Sequence, residues 1–349
     1  MLLVTLYKLL MRIQISKIDR NIMITLIQSG RDEEAFQYLY SKYIQPNTQE
    51  LTQAIQRQMR LGLNTILTEV EINRITLTIT SRVQATNTAV ESVFTSFTKE
   101  IYTPRLFKRT RVTNPLIRDN IVNQTLAEFA NKTRGALSMT NSDVLSAIRT
   151  YQRDLIKANL KISSKENIPG VLNTEVNKFK RQMETWLRKN NPDFFKQLDE
   201  GKFIRSRPLP DGTVKHYKLN EYSEMSVRTT LMNVQRTSVE VASLAEGARV
   251  VGYDLIDNRP LKGEEREICQ EILGNKVHGE SILALDDEVA KVLGIMTVDE
   301  AKSLGAMGVN CRHGLIQLDT EYLVQVEKVL MLEGLSQTTV PEVSDVIPE

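Results

Sequence analysis

The stretch from Gly308 to Leu318, GVNCRHGLIQL, sets a cysteine, an arginine and a histidine side by side ahead of a β-like run. The chain has only two cysteines and three histidines, so metal or thiol chemistry would concentrate here. Cys311 and His313 are two positions apart, and residues so spaced on a strand share a face. With Cys269 they offer two thiolates and an imidazole, and His278 would complete a tetrahedral zinc site. No Cys-x-x-Cys pair is present, so purely structural roles stand beside the metal: Cys269 buried in a helix, His278 in a loop, His313 hydrogen-bonded to backbone. His216 is expected at the surface. A cysteine nucleophile activated by His313 would need the same proximity. Gly-x-Ser-x-Gly and the standard glycine-rich phosphate loops are absent.

Two further groups carry charge chemistry. In the connector Lys99 to Arg118, the cations Lys108, Arg109 and Arg111 alternate with Leu106, Phe107 and Val112. Residues 174–189 place Phe179, Met183, Trp186 and Leu187 on one helical face, with Lys178, Arg181, Arg188 and Lys189 around it. Both sets are candidate nucleic-acid contacts, because cations beside a phosphate backbone gain affinity by releasing counterions. A solvated linker and an ordinary core stripe are the competing readings. Asp257 and Arg259 follow the run VVGYDLI and could pin their loop by ion pairs, with Arg228 and Arg312 as partners for Asp257. Asp254 with Asp257 is a weaker candidate for a cation.

These groups need a scaffold, and the bulk composition provides for one. At 349 residues, 41% hydrophobic and 25% charged, the chain has material for a sizeable globular core. Two cysteines exclude a disulfide framework and point to a reducing compartment. The N-terminal MLLVTLYKLLMRI is too short and too charged for a membrane span. Its Leu2, Leu6, Leu9, Leu10 and Ile13 suit a packing helix. Net charge is +2, unevenly spread: residues 1–220 hold 34 Lys/Arg and 20 Asp/Glu, whereas residues 221–349 hold 11 and 23. Such asymmetry suggests two surfaces with different partners, a polyanion being the candidate for one, or else two ends that attract each other or a neighbouring copy.

The periodicity predicts a mainly α chain with a small α+β C-terminal domain, a β-hairpin and short strands packed with helices. Leu51, Ile55, Met59, Leu63 and Leu67 mark a helix. Residues 72–98 contain ITLTIT, which alternates like a strand, within helix-like flanks, and read as one long helix. Pro104 and Pro115 discourage helix across the connector. Residues 119–162 read as two helices, the second capped by Asn141 or Ser142. Pro210-Asp211-Gly212 is a turn between strand-like runs. A helix over 221–246 ends at Gly247. VVGYDLI is β-like, a short helix spans 266–273, and Thr297 to Glu300 is a capping box. GLIQL is a strand, and Thr320 opens a last helix to Glu333. The expected regions are 1–115, helical with the basic connector; 116–200, helical; 201–335, α+β; and 336–349, a disordered tail.

The order of these features resembles the tailed-phage minor capsid, or Mu-F-like head morphogenesis, family over about residues 205–320. The residues that carry the resemblance are Tyr222, Glu224, Met225, Arg228 and Thr229; Asp257 and Arg259; Cys269, Gly274 and Lys276; and Asn310, Cys311, Arg312 and His313. Many relatives carry two close cysteines after the aspartate–arginine pair, whereas this chain has Cys269 alone. The resemblance implies a non-catalytic virion protein that associates with the portal protein and other capsid proteins during procapsid assembly in the host cytoplasm. It also implies non-specific contact with DNA during packaging or ejection, with no membrane and no small-molecule substrate. Arg228, Asp257, Arg259, Cys269, Asn310, Cys311, Arg312 and His313 would then form a structural clasp, with or without zinc. The alternatives are a zinc-dependent hydrolase or nuclease using the Cys/His cluster with Glu267, and a DNA-binding ejection protein.

Overall fold

The computed structural model describes residues 14–205, 212, 214–255, 267–308, 311 and 313–335. The apolar N-terminal stretch, the Pro210-Asp211 turn, the loop bearing Asp257 and Arg259, Asn310, Arg312 and the expected tail lie outside the described residues. The helices are α1 Lys17–Gln28, α2 Asp32–Leu39, α3 Gln45–Leu61, α4 Glu69–Ser96, α5 Thr103–Arg109, α6 Pro115–Glu166, α7 Asn173–Asn190, α8 Pro192–Glu200 and α9 Leu219–Ala245. Then come α10 Glu267–Gly274, α11 Asp287–Leu293, α12 Val298–Ser303 and α13 Thr320–Leu332. The strands are β1 Ile204–Arg205, β2 His216–Tyr217, β3 Val250–Leu255, β4 Lys276–Val277, β5 Glu280–Ala284 and β6 His313–Ile316. Fold class is as the periodicity predicts: mainly helical, with a small antiparallel four-stranded sheet in the C-terminal region.

Two departures from the sequence reading have local causes. The expected break between two helices near Asn141 is absent, and α6 is one 52-residue helix. Nothing between residues 119 and 162 forces a stop, since Gly135 alone is tolerated in a helix. Asn141 lies mid-helix and exchanges hydrogen bonds with Thr80 (3.2 and 3.3 Å) instead of capping. The connector is also largely helical. Pro104 follows closely on a π-helical segment, Phe97–Tyr102, where the Arg105 guanidinium takes up the Glu100 carbonyl (2.6 Å), and Pro115 opens α6, where the missing N–H has no helical acceptor to lose.

The chain divides into two compact units, each gathered from separated stretches. Three of their boundaries, at residues 94/95, 129/130 and 224/225, fall inside α4, α6 and α9, and the others lie at 14/15 and 39/40.

The first unit takes residues 1–14, 40–94 and 130–224. In α4 the β-branched run is helical because Ile72, Ile75, Ile79 and Val83 fall on one buried face. Its threonines return their hydroxyls to the previous turn, Thr76 to the Ile72 carbonyl (2.8 Å) and Thr78 to that of Arg74 (2.9 Å). Thr68 and Glu71 make a reciprocal capping box at the start of the helix. The core joins Leu51, Ile55 and Met59 of α3 to Ile148, Tyr151 and Leu155 of α6 and to Phe194 and Leu198 of α8. Tyr151 stacks on Phe194 with ring centres 4.1 Å apart. Gln152, buried, donates to the carbonyls of Gly62 (2.6 Å) and Thr65 (3.2 Å) and accepts from Leu67 N–H (2.9 Å), so one amide closes the α3–α4 loop.

The second unit takes residues 15–39, 95–129 and 225–349. Its sheet has the order β4-β5-β3-β6, antiparallel throughout, with Val251 opposite Leu283 and Tyr253 opposite Leu315. Alternation sends Val251, Tyr253, Leu283 and Leu315 to a layer holding α10, α12 and Val239 of α9. It sends Val250, Ile282 and Ala284 to a layer with α11 and α13. Gly252 lets the edge strand β6 lie close against β3: a Cβ there would run into the Ile316 side chain. Asp319 and Thr297 cap α13 and α12 through backbone N–H groups of Tyr322 (2.7 Å) and Glu300 (3.0 Å).

Candidate metal centre

Three elements of the second unit deliver the cluster. Cys269 stands in the first turns of α10, turned into the β3–β5 layer and 2% exposed. His313 opens β6 and is 3% exposed, its ring stacked on Tyr253 of β3 at 5.2 Å between centres. Cys311 lies just before β6 and is half-buried. Neither cysteine is in a disulfide. The Cys269 and Cys311 Sγ atoms are 3.9 Å apart, and Cys311 Sγ is 3.8 Å from His313 Nδ1.

Those separations can be set against metal geometry. A tetrahedral zinc with Zn–S near 2.3 Å and Zn–N near 2.0–2.1 Å places its sulfurs about 3.8 Å apart and sulfur about 3.6 Å from nitrogen. The ligand atoms of Cys269, Cys311 and His313 all lie within 4.8 Å of one another, so this group could hold a metal ion. Among the described residues it is the one such His/Cys/Asp/Glu group. His278, expected as fourth ligand, is not part of it. It sits at the β4–β5 turn with φ +48°, its ring edge-on to Tyr322 at 6.4 Å.

Hydrogen bonds order the donors. The Tyr253 hydroxyl donates to Cys269 Sγ at 3.3 Å. Burial, and then its bond to Cys269, push the Tyr253 phenol up, keeping it a donor. Cys311 is held far below the ordinary thiol range, to about 3, first by the hydrogen bond from Cys269, with further contributions from His313 and the charge of Arg236. These contacts favour the thiolate at Cys311.

Arg236 is the residue the sequence reading missed. It lies on α9, 3% exposed, and donates to the carbonyls of Met307 and of His313 (2.6 Å), and to Asn233 Oδ1 (3.1 Å). It thereby grips the chain on both sides of Cys311. Gln235, its neighbour, reaches the Leu315 carbonyl at 2.8 Å. The only sequence signal was an arginine on the apolar side of a long helix.

Other candidate residues fall elsewhere. Arg228 pairs with Glu33 and bonds Gln37 (3.2 Å), both from α2. Its expected partner Asp257 lies outside the described residues. Asp254 ends β3, its carboxylate turned back on Leu255 N–H (2.6 Å). In the connector, Arg109 pairs with Asp32 and donates to the Ile27 carbonyl (3.3 Å), so it serves packing. Arg111 meets Glu246 at 3.7 Å, and Lys108 is exposed.

In the first unit, Lys178 and Lys189 are exposed, and Arg188 lies over the Phe195 ring (4.4 Å) and 3.6 Å from Asp199. Lys161 and Lys165 stand over the half-buried Trp186 and Phe179 at 5.9 and 5.8 Å. Arg181 lines a cavity of about 570 Å³ beside Tyr151, Met183 and Phe195. His216 is half-buried, in β2.

Comparison of the chain with family models, with curated proteins and with solved structures finds no match. Among the described residues no helix is long and apolar enough to cross a membrane.

Proposed function

We propose that this chain is a structural minor capsid, or head morphogenesis, protein of a tailed bacteriophage, associated with the portal vertex during procapsid assembly. The observation that carries the reading is the ordered set from Tyr222-x-Glu224-Met225-x-x-Arg228-Thr229 through Cys269 to Cys311 and His313. Its last three members, Cys269 and the Cys311–His313 pair 42 residues further on, meet in one largely buried cluster. A fold of stacked helices with a small clasped sheet suits a protein that holds other proteins. Charge supports two kinds of partner: the first unit carries 25 Lys/Arg against 15 Asp/Glu, and the second 20 against 28. On this reading the basic unit faces packaged DNA and the acidic unit faces protein. The test is isolation of procapsids by way of the portal protein. Co-purification of this chain at defined stoichiometry supports the reading, and a chain found free in host cytosol and absent from particles sinks it.

Within this reading the metal is zinc. Two thiolates and an imidazole are the donor set zinc prefers. Its work would be to tie α10 to the segment entering β6, with folding energy gained on binding. Metal analysis of protein prepared without chelator should give close to one zinc per chain. Less than about 0.1 ends the zinc assignment and leaves the hydrogen-bonded clasp.

A further inference from the structure

The two sulfurs carry a second consequence, independent of the capsid reading. We propose that Cys311 is a site of oxidation by hydroperoxides and that Cys269 is its resolving thiol, so that the pair closes into a disulfide when no metal holds it. Three observations support this. Cys311 Sγ is the half-buried member, within reach of a small oxidant, whereas Cys269 is 2% exposed. The sulfurs stand 3.9 Å apart, with no other heavy atom needed between them, and a bond requires closure to about 2.05 Å. Cys311 also sits outside regular structure, just before β6, so a local torsion can supply that approach without breaking a helix or a ladder.

The chemistry balances with the peroxide as the sole oxidant. The Cys311 thiolate attacks one peroxide oxygen, the O–O bond breaks, and the leaving hydroxide takes a proton to become water. Cys311 becomes the sulfenic acid. The Cys269 sulfur then attacks Cys311 Sγ, the S–O bond breaks, and a second water leaves with the Cys269 proton. Two thiols lose two electrons and two protons, and hydrogen peroxide becomes two waters. The Tyr253 hydroxyl, 3.3 Å from Cys269 Sγ, keeps the resolving sulfur aimed at the pair. Because both sulfurs are also the metal donors, zinc and the disulfide exclude each other.

The experiment uses the full chain, stripped with chelator and then treated with stoichiometric hydrogen peroxide. Peptide mass spectrometry should show one Cys269–Cys311 cross-link and loss of both free thiols. In Cys269→Ser, Cys311 should stop at a sulfenic acid that dimedone captures. In Cys311→Ser, Cys269 should stay reduced under the same dose. Pre-loading wild-type chain with zinc chloride should slow thiol loss at least tenfold. Circular dichroism of each variant verifies that it is folded, and the wild-type cross-link is decisive without any variant. Both thiols surviving in the stripped wild-type chain overturns the proposal. Cys269 reacting in Cys311→Ser as fast as Cys311 does in Cys269→Ser overturns the assigned roles. Oxidation unaffected by zinc separates the thiol chemistry from the metal reading and overturns their exclusion.

Discussion

The two units bury polar groups for the same purpose with opposite chemistry. In the first, a neutral amide, Gln152, satisfies three backbone groups of one loop and changes nothing with pH. In the second, a cation, Arg236, holds two carbonyls that flank a thiol–imidazole cluster. A neutral lock only positions backbone. A charged lock also adds its field to what lies beside it, and at Cys311 that field adds to the larger effects of Cys269 and His313 in favouring thiolate. Packing alone accounts for the first centre, and the second adds titratable and metal-binding chemistry to it.

The largest test of this contrast is the pH profile of alkylation in metal-free protein. An ordinary thiol, with its pKa near 8.5, loses about 100-fold in thiolate between pH 8 and pH 6. Cys311, held far below that range by Cys269 and His313, should change less than about twofold over the same interval. Mapping each cysteine by mass spectrometry isolates its rate. The linkage sign follows: a depressed thiol adds stability above its unfolded value, and that stability is lost as pH falls toward the folded value of about 3. The first unit, with Gln152 at its centre, should show no such loss from that source. A Cys311 rate that tracks an ordinary thiol would erase the distinction between the units.

Next in size is Arg236→Met. The buried carbonyls of Met307 and His313 lose charged donors, and hydrogen bonds of that kind contribute roughly 1.5–3 kcal/mol each. We expect about 3 kcal/mol lost in the second unit. The Gln152→Leu change should cost about 2 kcal/mol in the first, because the Gly62 and Thr65 carbonyls and the Leu67 amide are left without it. Hydrogen exchange, resolved by segment, is the measurement, since one melting point is not well defined for a two-unit chain. Protection lost equally in both units for either variant would mean that they unfold as one.

Much of this architecture was legible in the residues. Thr297 to Glu300, Gly247 and the β-like VVGYDL each carry a local signal that tertiary packing left standing. The long helix α6 was misread because polar Asn141-Ser142 imitates a cap, and only a partner at Thr80 shows otherwise. The pair β4 and β5 went unseen, being two and five residues long around a strained His278 turn. Cys269, Cys311 and His313 were legible as a donor set because rare residue types stand out. His278 was added on type alone, and type says nothing of distance. Arg236 was invisible for the converse reason: arginine is common, and its role lies in which carbonyls it reaches across 71 and 77 residues.

The smallest expected effect concerns the surface pairs of the first unit. Arg134, 64% exposed at its side chain, meets Glu91 at 2.9 Å. Such exposed pairs contribute little, because solvent screens the attraction and two long side chains must be ordered. Arg134→Ala should therefore shift stability only slightly, and the shift should shrink further in 1 M salt, where the screening length is about 3 Å. The same salt should leave the Arg236→Met penalty nearly unchanged, since a guanidinium 3% exposed is hardly reached by counterions. Measuring both variants at low and high salt turns the comparison into a sign: a salt-sensitive first unit and a salt-insensitive second. If the Arg236 penalty fell with salt as steeply as that of Arg134, the cation would be solvated, and the charged lock would be no more than another surface contact.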